Sequence, residues 1–309
     1  MSRVALGLVG YGKIAHDQHE PAIPAGDDFE LIAVADPATG HATLPSYPDA
    51  AAMLAAHPEI AAVALCMPPR VRAGAARLAL DAGKHVMLEK PPATSVAQAT
   101  ALERAARDNG VSIFTAWHSQ QAAAVERARA WLADAKIRSA RVTWKEDVRV
   151  WHPGQDWIWQ PGGFGVFDPG INALSILTAI LPGPLALMNA ELAVPANCAT
   201  PIAARLDIAG VGFPIIAEFD FRQTGPQSWD IAIETDSGEL LLSGGGNALS
   251  IDGRAEPLAA EAEYRRLYAR FAELIDSGRS EVDLEPLRLV EEAMTKGHQL
   301  TVEPFEEMA

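Results

Sequence analysis

Short apolar runs alternate with helix-like stretches over the first third of the chain. The apolar runs are continuous, as in strands buried on both faces of a sheet, and cover residues 4–9, 29–35, 61–66, 84–88 and 111–115. The stretches between them space their apolar residues as amphipathic helices do, over 14–24, 50–56, 71–82 and 96–109. Strand alternating with helix predicts an α/β domain built on a doubly wound parallel sheet.

The pattern changes after Trp117. A helix is predicted over 121–135, and apolar and polar residues then alternate, as in strands with one exposed face, at 138–147, 185–194, 204–209, 213–221, 229–235 and 239–243. Helices at 172–181, 261–277 and 285–298 are expected to cover one face of this largely antiparallel sheet. We therefore predict a first domain over 1–119 and a C-terminal α+β domain over 120–309.

Composition and charge narrow the class of protein. No apolar run approaches the roughly 20 residues of a membrane-spanning helix. The formal net charge of −15 disfavours nucleic acid as a partner, because phosphate binding needs clustered Lys and Arg. Met1-Ser2-Arg3 leads directly into the first apolar run without the pattern of a secretory signal, so we expect a cytoplasmic protein. Cys66 and Cys198 have no metal-binding spacing and are expected to be buried apolar thiols.

A glycine-rich turn joins the first predicted strand to the first helix. Gly10, Gly12 and Ala15 form a GxGxxA pattern. In the Rossmann fold the first glycine makes the tight turn, the second lets the backbone approach a pyrophosphate, and the third small residue keeps the helix close to the sheet. Lys13 and Ile14 lie within this turn, and we expect them to contact the cofactor. Taken alone, the GxGxxA pattern is also compatible with an ordinary strand-to-helix turn that binds no cofactor.

Asp36 ends the second predicted strand, at the position where a carboxylate accepts hydrogen bonds from the adenosine ribose. A carboxylate repels the additional 2′-phosphate of NADP, and residues 37–40 contain no Lys or Arg to receive it. We therefore expect NAD as the cofactor, with NADP less favoured.

The segment Ala82-Gly83-Lys84-His85-Val86-Met87-Leu88-Glu89-Lys90-Pro91 resembles the AGKHVxxEKP signature of the Gfo/Idh/MocA oxidoreductases. The resemblance extends to Met67-Pro68-Pro69, to the glycine turn and to residues 163–172, and so covers most of the chain. It implies that Met67 and Pro68 line the nicotinamide pocket, that Glu89 contributes to cofactor binding, and that Lys90 faces the reacting carbon.

Two departures narrow this resemblance. The family's usual second-domain motif is DxGxH, whereas Asp168-Pro169-Gly170-Ile171-Asn172 has Asn in place of His, and Arg72 stands where a His commonly follows the proline loop. Together with Trp117-His118-Ser119 and residues 144–155, this combination is similar to the bacterial aldose 1-dehydrogenases that act on L-arabinose and D-galactose. It implies a small sugar substrate, oxidised at C1 to the aldonolactone while NAD is reduced.

Oxidation at C1 requires a proton acceptor and a group that stabilises developing alkoxide character. The candidate catalytic residues are Lys90, Asp168 and Asn172. The Lys90 ammonium would favour the alkoxide, while Asp168 would take the proton directly or act through the lysine, and which of the two is the base stays open. Asn172 would share a helix face with Asp168. The alternatives are a solvated surface lysine for Lys90 and a helix N-cap for Asp168.

Aromatic and polar residues close together in sequence indicate sugar contacts, because indole rings pack against sugar C–H faces. The tryptophans are Trp144, Trp151, Trp157 and Trp159, and the expected substrate contacts are His118, Glu146, Trp151, His152, Asp168 and Asn172. His16 and His19 form an HxxH pattern without further ligands, so we expect two helix-surface residues and no metal.

Two alternative functions remain open: a dehydrogenase of the same family that acts on another sugar or a polyol, and a dinucleotide-binding sensor without catalysis. Asn172 disfavours the first, and the presence of both Lys90 and Asp168 disfavours the second. Relatives often form dimers or tetramers, which leaves a homo-oligomer open.

Overall fold

The apolar runs at the start of the chain form a six-stranded parallel sheet within residues 3–306, the range that the computed structural model describes. Met1 and Ser2, which contribute to the expected absence of a secretory signal, and residues 307–309 lie outside the described range. The strands are β1 (Val4–Val9), β2 (Phe29–Ala35), β3 (Ser46–Tyr47), β4 (Ala62–Leu65), β5 (His85–Glu89) and β6 (Ile113–Ala116). Their order is β3-β2-β1-β4-β5-β6, which confirms the doubly wound Rossmann topology.

The predicted helices of this region form between the strands. They are α1 (Glu20–Ala25), preceded by a π-helical turn over Ala15–His19, α2 (Ala50–Ala56), α3 (Pro69–Asp81) and α4 (Val96–Asp108). Asp49 and Ser95 cap α2 and α4, because each side chain accepts a hydrogen bond from a backbone N–H of the first turn. The two-residue strand β3 is too short to produce a hydrophobic period, and the sequence did not predict it.

The rest of the chain builds a nine-stranded mixed sheet in the described residues. Its strands are β7 (Ile137–Lys145), β8 (Ala186–Pro195), β9 (Ala203–Gly210), β10 (Phe213–Asp220), β11 (Ser228–Thr235), β12 (Glu239–Ser243), β13 (Ala248–Ile251), β14 (Arg254–Ala255) and β15 (His298–Val302). The helices in this part are α5 (Val125–Leu132), α6 (Val148–Trp151), α7 (Phe167–Ile180), α8 (Glu263–Ser277) and α9 (Glu285–Lys296). The pairs β7–β10 and β8–β15 are parallel and the others antiparallel, so the predicted largely antiparallel sheet is confirmed.

The chain forms two compact units, and each unit is built from two separate segments of the sequence. The first contains Met1–His118 and Ala262–Leu284, and the second contains Ser119–Glu261 and Glu285–Ala309. The expectation that the helix near 261–277 covers the second-domain sheet is therefore wrong. Helix α8 instead buries Leu267, Phe271 and Leu274 against β1, β2 and β6 of the first unit.

Several element boundaries differ from the prediction, among them those of α5, α7 and α9. Helix α7 begins at Phe167 rather than at 172, because Pro169 and Gly170 are accommodated inside it. Helix α9 ends at Lys296, and the chain enters β15 at His298. Helix α5 begins only at Val125. No helix of the described residues combines the length and hydropathy that crossing a membrane requires.

Candidate active site

The glycine turn follows β1 in the first unit. Gly10 has a φ of 85°, and a Cβ there would lie 2.5 Å from the Met67 amide nitrogen, so the local fold itself requires glycine. A Cβ at Gly12 would meet no protein atom within 4 Å. The protein therefore leaves space at Gly12, as the close approach of a dinucleotide pyrophosphate requires, and the turn fits that group. Lys13, at the start of the helix, forms an ion pair with Asp17.

Asp36 lies at the end of β2, and backbone N–H groups hold its carboxylate. Oδ2 accepts a hydrogen bond of 2.9 Å from Tyr11, and Oδ1 accepts bonds of 2.8 and 3.0 Å from Ala38 and Thr39. Burial alone would raise the pKa of Asp36, but these N–H groups outweigh it and lower the pKa below its usual value. The carboxylate is thus charged and held in a fixed orientation, which suits it to accept hydrogen bonds from ribose hydroxyl groups.

A buried arginine fixes the loop that contains Met67 and Pro68. Arg72 is 2% exposed and donates hydrogen bonds to the carbonyl oxygens of Met67, Glu89 and Pro91. A guanidinium group has enough donors to serve several carbonyls at once, which explains an arginine at this position. Arg72 therefore ties the loop after β4 to the segment after β5, where the Lys90–Pro91 peptide is cis.

Glu89 is buried and hydrogen-bonded on both carboxylate oxygens. His19 Nε2 lies 3.0 Å from Oε1, Tyr264 donates to Oε1 over 2.8 Å, and the Lys90 amide donates to Oε2 over 3.0 Å. His19 Nδ1 lies 2.8 Å from the Tyr268 hydroxyl oxygen. The expected helix-surface position of His19 is wrong: its side chain is 0% exposed, because it pairs with this buried carboxylate.

Glu89 and His19 each favour the charged form of the other. Burial alone would raise the pKa of Glu89, but the hydrogen bond and charge of His19, with the Tyr264 hydroxyl, lower that pKa to about 2. Burial alone would lower the pKa of His19, but the surrounding Cys66, Tyr268 and Glu89 hold it well above its usual value. The pair is therefore ionic, and it anchors the backbone of Lys90.

Lys90 and His118 lie near the ends of adjacent strands of the first unit. Lys90 directly follows β5 and is half-buried. His118 follows β6; its Nδ1 lies 2.8 Å from Glu263 Oε2, and its ring stacks on Tyr264 with the ring centres 5.7 Å apart. Two residues of the returning helix α8 region thus support this edge of the sheet. Neither Glu263 nor Tyr264 was predicted, because both follow His118 by more than a hundred residues.

The second unit places the predicted Glu146 and His152 in direct contact. Glu146 is 1% exposed and follows β7. Its Oε1 lies 3.0 Å from His152 Nε2, and its Oε2 accepts a hydrogen bond of 2.7 Å from the Trp229 indole N–H. His152 follows the short helix α6, and its ring lies against Phe221 with the ring centres 5.5 Å apart. A carboxylate held by two N–H donors and beside aromatic rings is well suited to sugar recognition.

Asp168 and Asn172 lie on α7, as neighbours one turn apart. Asp168 is buried inside the first turn, while the N-cap is Val166 and makes no side-chain cap hydrogen bond. The N-cap alternative for Asp168 is therefore wrong. Gly170 lets the helix approach the sheet, because a Cβ there would lie 2.7 Å from the Phe219 ring. This close approach brings Asp168 Oδ2 to 3.8 Å from His152 Nδ1.

Four of the seven tryptophans lie in two separate aromatic groups. Trp144 and Trp229 are paired across β7 and β11 and stack with ring centres 5.9 Å apart, while Trp151 lies 4.6 Å from Trp229 by the same measure. Trp159 instead contacts Phe221 and Phe305. Trp229 joins this candidate site through its hydrogen bond to Glu146, and the sequence did not predict it. The only signal for it is the strand register, which places it beside Trp144.

The remaining expectations concern metals and thiols. Over residues 3–306 no group of His, Cys, Asp or Glu has the geometry of a metal site. The two cysteines carry free thiols and are half-buried rather than fully buried. Cys66 directly follows β4, and burial raises the pKa of the Cys198 thiol.

Comparisons with known proteins agree with this architecture. Residues 4–116 match the model of the Gfo/Idh/MocA oxidoreductase family with an NAD-binding Rossmann fold. A galactose 1-dehydrogenase of Pseudomonas fluorescens is 44% identical over 307 residues, which cover 99% of both chains. The crystal structure of a D-galactose-1-dehydrogenase from Rhizobium etli superposes with a TM-score of 0.95 at 52% identity and covers 99% of both chains.

A more distant structure has the same fold. A 3-ketoreductase from Actinomadura kijaniata, in complex with NADP and TDP-benzene, has a TM-score of 0.84 at 19% identity, with 97% of this chain and 99% of that chain covered. The match to the family model, the signature around Lys90 and the full-length similarity to the Pseudomonas enzyme lead to one conclusion: the chain belongs to the Gfo/Idh/MocA family of oxidoreductases.

Proposed function

We propose that the protein is an NAD-dependent aldose 1-dehydrogenase that oxidises D-galactose, and also L-arabinose, at C1 to the aldonolactone. The observation that carries the proposal is the full-length similarity to a galactose 1-dehydrogenase, at 44% identity over 307 residues. The proposed substrate is a small sugar in aqueous solution. A cytoplasmic location and a homo-oligomeric state stay predictions.

The chemistry of the second unit supports a sugar substrate. His152 lies 3.0 Å from Glu146 and 3.8 Å from Asp168, and the Trp229 indole N–H donates to Glu146. Sugars combine hydroxyl groups, which need fixed donors and acceptors, with C–H faces that pack on indole rings. D-Galactose and L-arabinose share their pyranose stereochemistry, so one set of contacts can serve both.

The residues around Asp36 support NAD rather than NADP. The carboxylate would repel a 2′-phosphate, and residues 37–40, Pro-Ala-Thr-Gly, provide no cationic group for it. The NADP bound to the Actinomadura enzyme belongs to a relative with 19% identity and supports the common fold only. Gly10, Gly12, Lys13, Ile14, Met67, Pro68 and Glu89 complete the proposed cofactor contacts.

In the proposed reaction the bound NAD supplies the hydride acceptor for the C1–H bond. Lys90 would stabilise the alkoxide that develops as the C1 hydroxyl loses its proton, and Asp168 would accept this proton. Asn172, one turn beyond Asp168, would orient the hydroxyl through its side-chain amide. His118, Glu146, Trp151 and His152 would hold the other hydroxyl groups and the sugar face.

A panel of aldoses with both cofactors tests the proposal. The measurement is NADH or NADPH absorbance, and we expect turnover of D-galactose and L-arabinose with a higher kcat/KM for NAD than for NADP. If only a different sugar or a polyol is turned over, the result would favour the alternative that the protein is a dehydrogenase of the same family with another substrate. Tight NAD binding without any turnover would favour the sensor, and a clear NADP preference would contradict the role of Asp36.

Substitution of the two candidate catalytic residues tests their roles. We expect Lys90→Ala and Asp168→Ala each to lower kcat at least about 100-fold, because each removes a group required at the reacting hydroxyl. The exposed Lys136→Ala and Asp134→Ala serve as matched controls and should retain activity. A folded Lys90→Ala or Asp168→Ala variant with normal kcat excludes that residue from the reaction.

A further inference from the structure

The imidazole of His152 lies between two carboxylates of the second unit. Its Nε2 is 3.0 Å from Glu146 Oε1, and its Nδ1 is 3.8 Å from Asp168 Oδ2. The three residues come from three elements: Glu146 follows β7, His152 follows α6, and Asp168 belongs to the first turn of α7. All three are withdrawn from solvent, since the Glu146 and Asp168 side chains are 2% and 7% exposed and that of His152 is 14% exposed.

The contact with Glu146 determines which ring nitrogen carries the proton. A carboxylate is an acceptor only, so the short contact makes Nε2 the donor in the neutral ring. The other oxygen of Glu146 accepts the Trp229 N–H over 2.7 Å, which fixes the carboxylate in this orientation. In this neutral tautomer Nδ1 is unprotonated, and its lone pair faces Asp168 Oδ2 at 3.8 Å.

The charged neighbours of His152 on its own helix are engaged elsewhere. Arg149 forms a two-point ion pair with Asp147, at 2.8 and 2.9 Å. The Phe221 ring packs against the imidazole from the sheet. Two acidic groups contact His152: Glu146, which orients it, and Asp168, which shares its buried environment.

We propose that Asp168, His152 and Glu146 form a proton relay for the dehydrogenation. The O–H bond of the sugar C1 hydroxyl breaks and its proton forms a bond with Asp168 Oδ2. The proton then passes to His152 Nδ1 as the 3.8 Å separation shortens to hydrogen-bond length, and the resulting imidazolium is stabilised by Glu146. Asp168 returns to its carboxylate form, and the electron pair of the broken O–H bond becomes the second C1–O bond. The C1 hydrogen would leave with its electron pair as hydride, for which bound NAD would be the acceptor, as in the proposed function on which this relay rests.

The relay assigns His152 a role different from holding a substrate hydroxyl. A binding residue would affect KM, whereas a relay residue determines how quickly Asp168 loses the proton and so affects kcat. Glu146 is then a positioning residue, because it acts through the tautomer and orientation of His152. The geometry explains why a buried histidine is flanked by two acids rather than by one.

The first experiment compares His152→Gln with wild type. Glutamine keeps an N–H donor for Glu146 but has no basic nitrogen, so we expect kcat for D-galactose to fall by about 100-fold to 10,000-fold while KM changes less than about threefold. His298→Gln, which alters an exposed histidine of the same unit, is the matched control and should retain wild-type kcat. An increase in KM with normal kcat would overturn the relay and assign His152 to binding alone.

Chemical rescue separates proton transfer from a structural role. We expect added imidazole to restore part of the kcat of His152→Ala in a saturable manner, and to leave Lys90→Ala unchanged. If His152→Ala is not folded by circular dichroism, the same rescue is measured on His152→Gly. Absence of rescue in a folded variant would overturn the proposal, because a lost base is replaceable by a small external base whereas a lost hydroxyl contact is not.

A measurement without turnover examines the tautomer directly. In protein labelled with ¹⁵N at histidine, the resonances of His152 are those that disappear in His152→Gln. We expect Nε2 protonated and Nδ1 unprotonated in wild type, and a loss of this preference in Glu146→Gln, whose amide can donate as well as accept. A protonated Nδ1 in neutral His152 would overturn the relay. If no sugar is oxidised by wild type, the proposed function fails, and the tautomer result still shows whether the Glu146–His152 geometry is correct.

Discussion

Gly10 and Gly12 are two residues apart, and their surroundings differ. Gly10 has a left-handed backbone and the Met67 amide nitrogen lies 2.5 Å from where its Cβ would be. Gly12 has free space of at least 4 Å around the corresponding point. The fold therefore requires glycine at position 10, whereas we propose that glycine is needed at position 12 for the close approach of a dinucleotide.

This difference predicts opposite effects for two matched substitutions. Gly10→Ala should lower the free energy of unfolding by about 1–3 kcal/mol, because it adds backbone strain and a steric clash. Gly12→Ala should change stability by less than about 0.5 kcal/mol, yet weaken NAD binding about tenfold or more, a loss of about 1.4 kcal/mol. Urea unfolding and a fluorescence titration with NAD measure the two quantities. Normal NAD affinity in Gly12→Ala would contradict the proposed position of the pyrophosphate.

Residues close to a recognisable motif were predictable, and their distant partners were not. Asp36 and Lys90 directly follow strands, and Glu89 is the last residue of β5, so the topology itself brings these side chains to one edge of the sheet. Trp229 lies 83 residues from the carboxylate it holds, and Tyr264 lies 175 residues from Glu89. Hydrophobic periodicity describes only local order, so it cannot predict which remote side chain satisfies a buried carboxylate.

Helix α8 illustrates the same limit for a whole element. Its amphipathic pattern predicted a helix near 261–277, and the helix is present at Glu263–Ser277. Periodicity establishes that a helix has an apolar face but not which sheet covers that face. The buried rings of α8 pack on the parallel sheet of the first unit, where Phe271 stacks on Phe29 with ring centres 5.5 Å apart. The helix thus completes the core beside β1, the strand that precedes the glycine turn.

The position of α8 predicts a large loss of stability on truncation of its central ring. Phe271 is 0% exposed and lies against Phe29 and Phe114, so Phe271→Ala should cost about 3–5 kcal/mol of unfolding free energy. Hydrogen exchange of peptides from β1 and β6 should become faster in this variant, because they share its core. Val211→Ala, at a residue 65% exposed in the second unit, is the control and should change little. Unchanged exchange in β1 and β6 would contradict this placement of α8.

Charge acts on the molecule as a whole as well as at its binding residues. The formal net charge is −15, yet a dinucleotide phosphate can be held locally by backbone N–H groups at a glycine turn. The buried Glu89–His19 pair is a separate case, because its two charges cancel inside the first unit. Its contribution to folding depends on both groups being ionised.

The pKa shifts of Glu89 and His19 limit the pair's contribution to stability at low pH and at high pH, respectively. Glu89 has its pKa lowered from 4.5 to about 2, so the stability it contributes is present above pH 4.5 and is lost as the pH falls toward 2. His19 has its pKa raised well above 6.5, so its contribution is complete below pH 6.5 and is lost as the pH rises through the folded-state pKa. The pair therefore stabilises the protein most between about pH 4.5 and 6.5.

A pH series of unfolding measurements on His19→Gln tests this balance. Glutamine can hydrogen-bond Glu89 but carries no charge, so the variant should be less stable than wild type, most of all near pH 6. Above pH 6.5 the difference between the two proteins should shrink by up to about 1.4 kcal/mol per pH unit, the linkage slope for one proton. Urea unfolding followed by far-ultraviolet circular dichroism gives the free energies, and the exposed His298→Gln should follow wild type throughout. A difference that stays constant from pH 6 to 9 would mean that His19 is neutral in the folded protein and that Glu89 is held by hydrogen bonds alone.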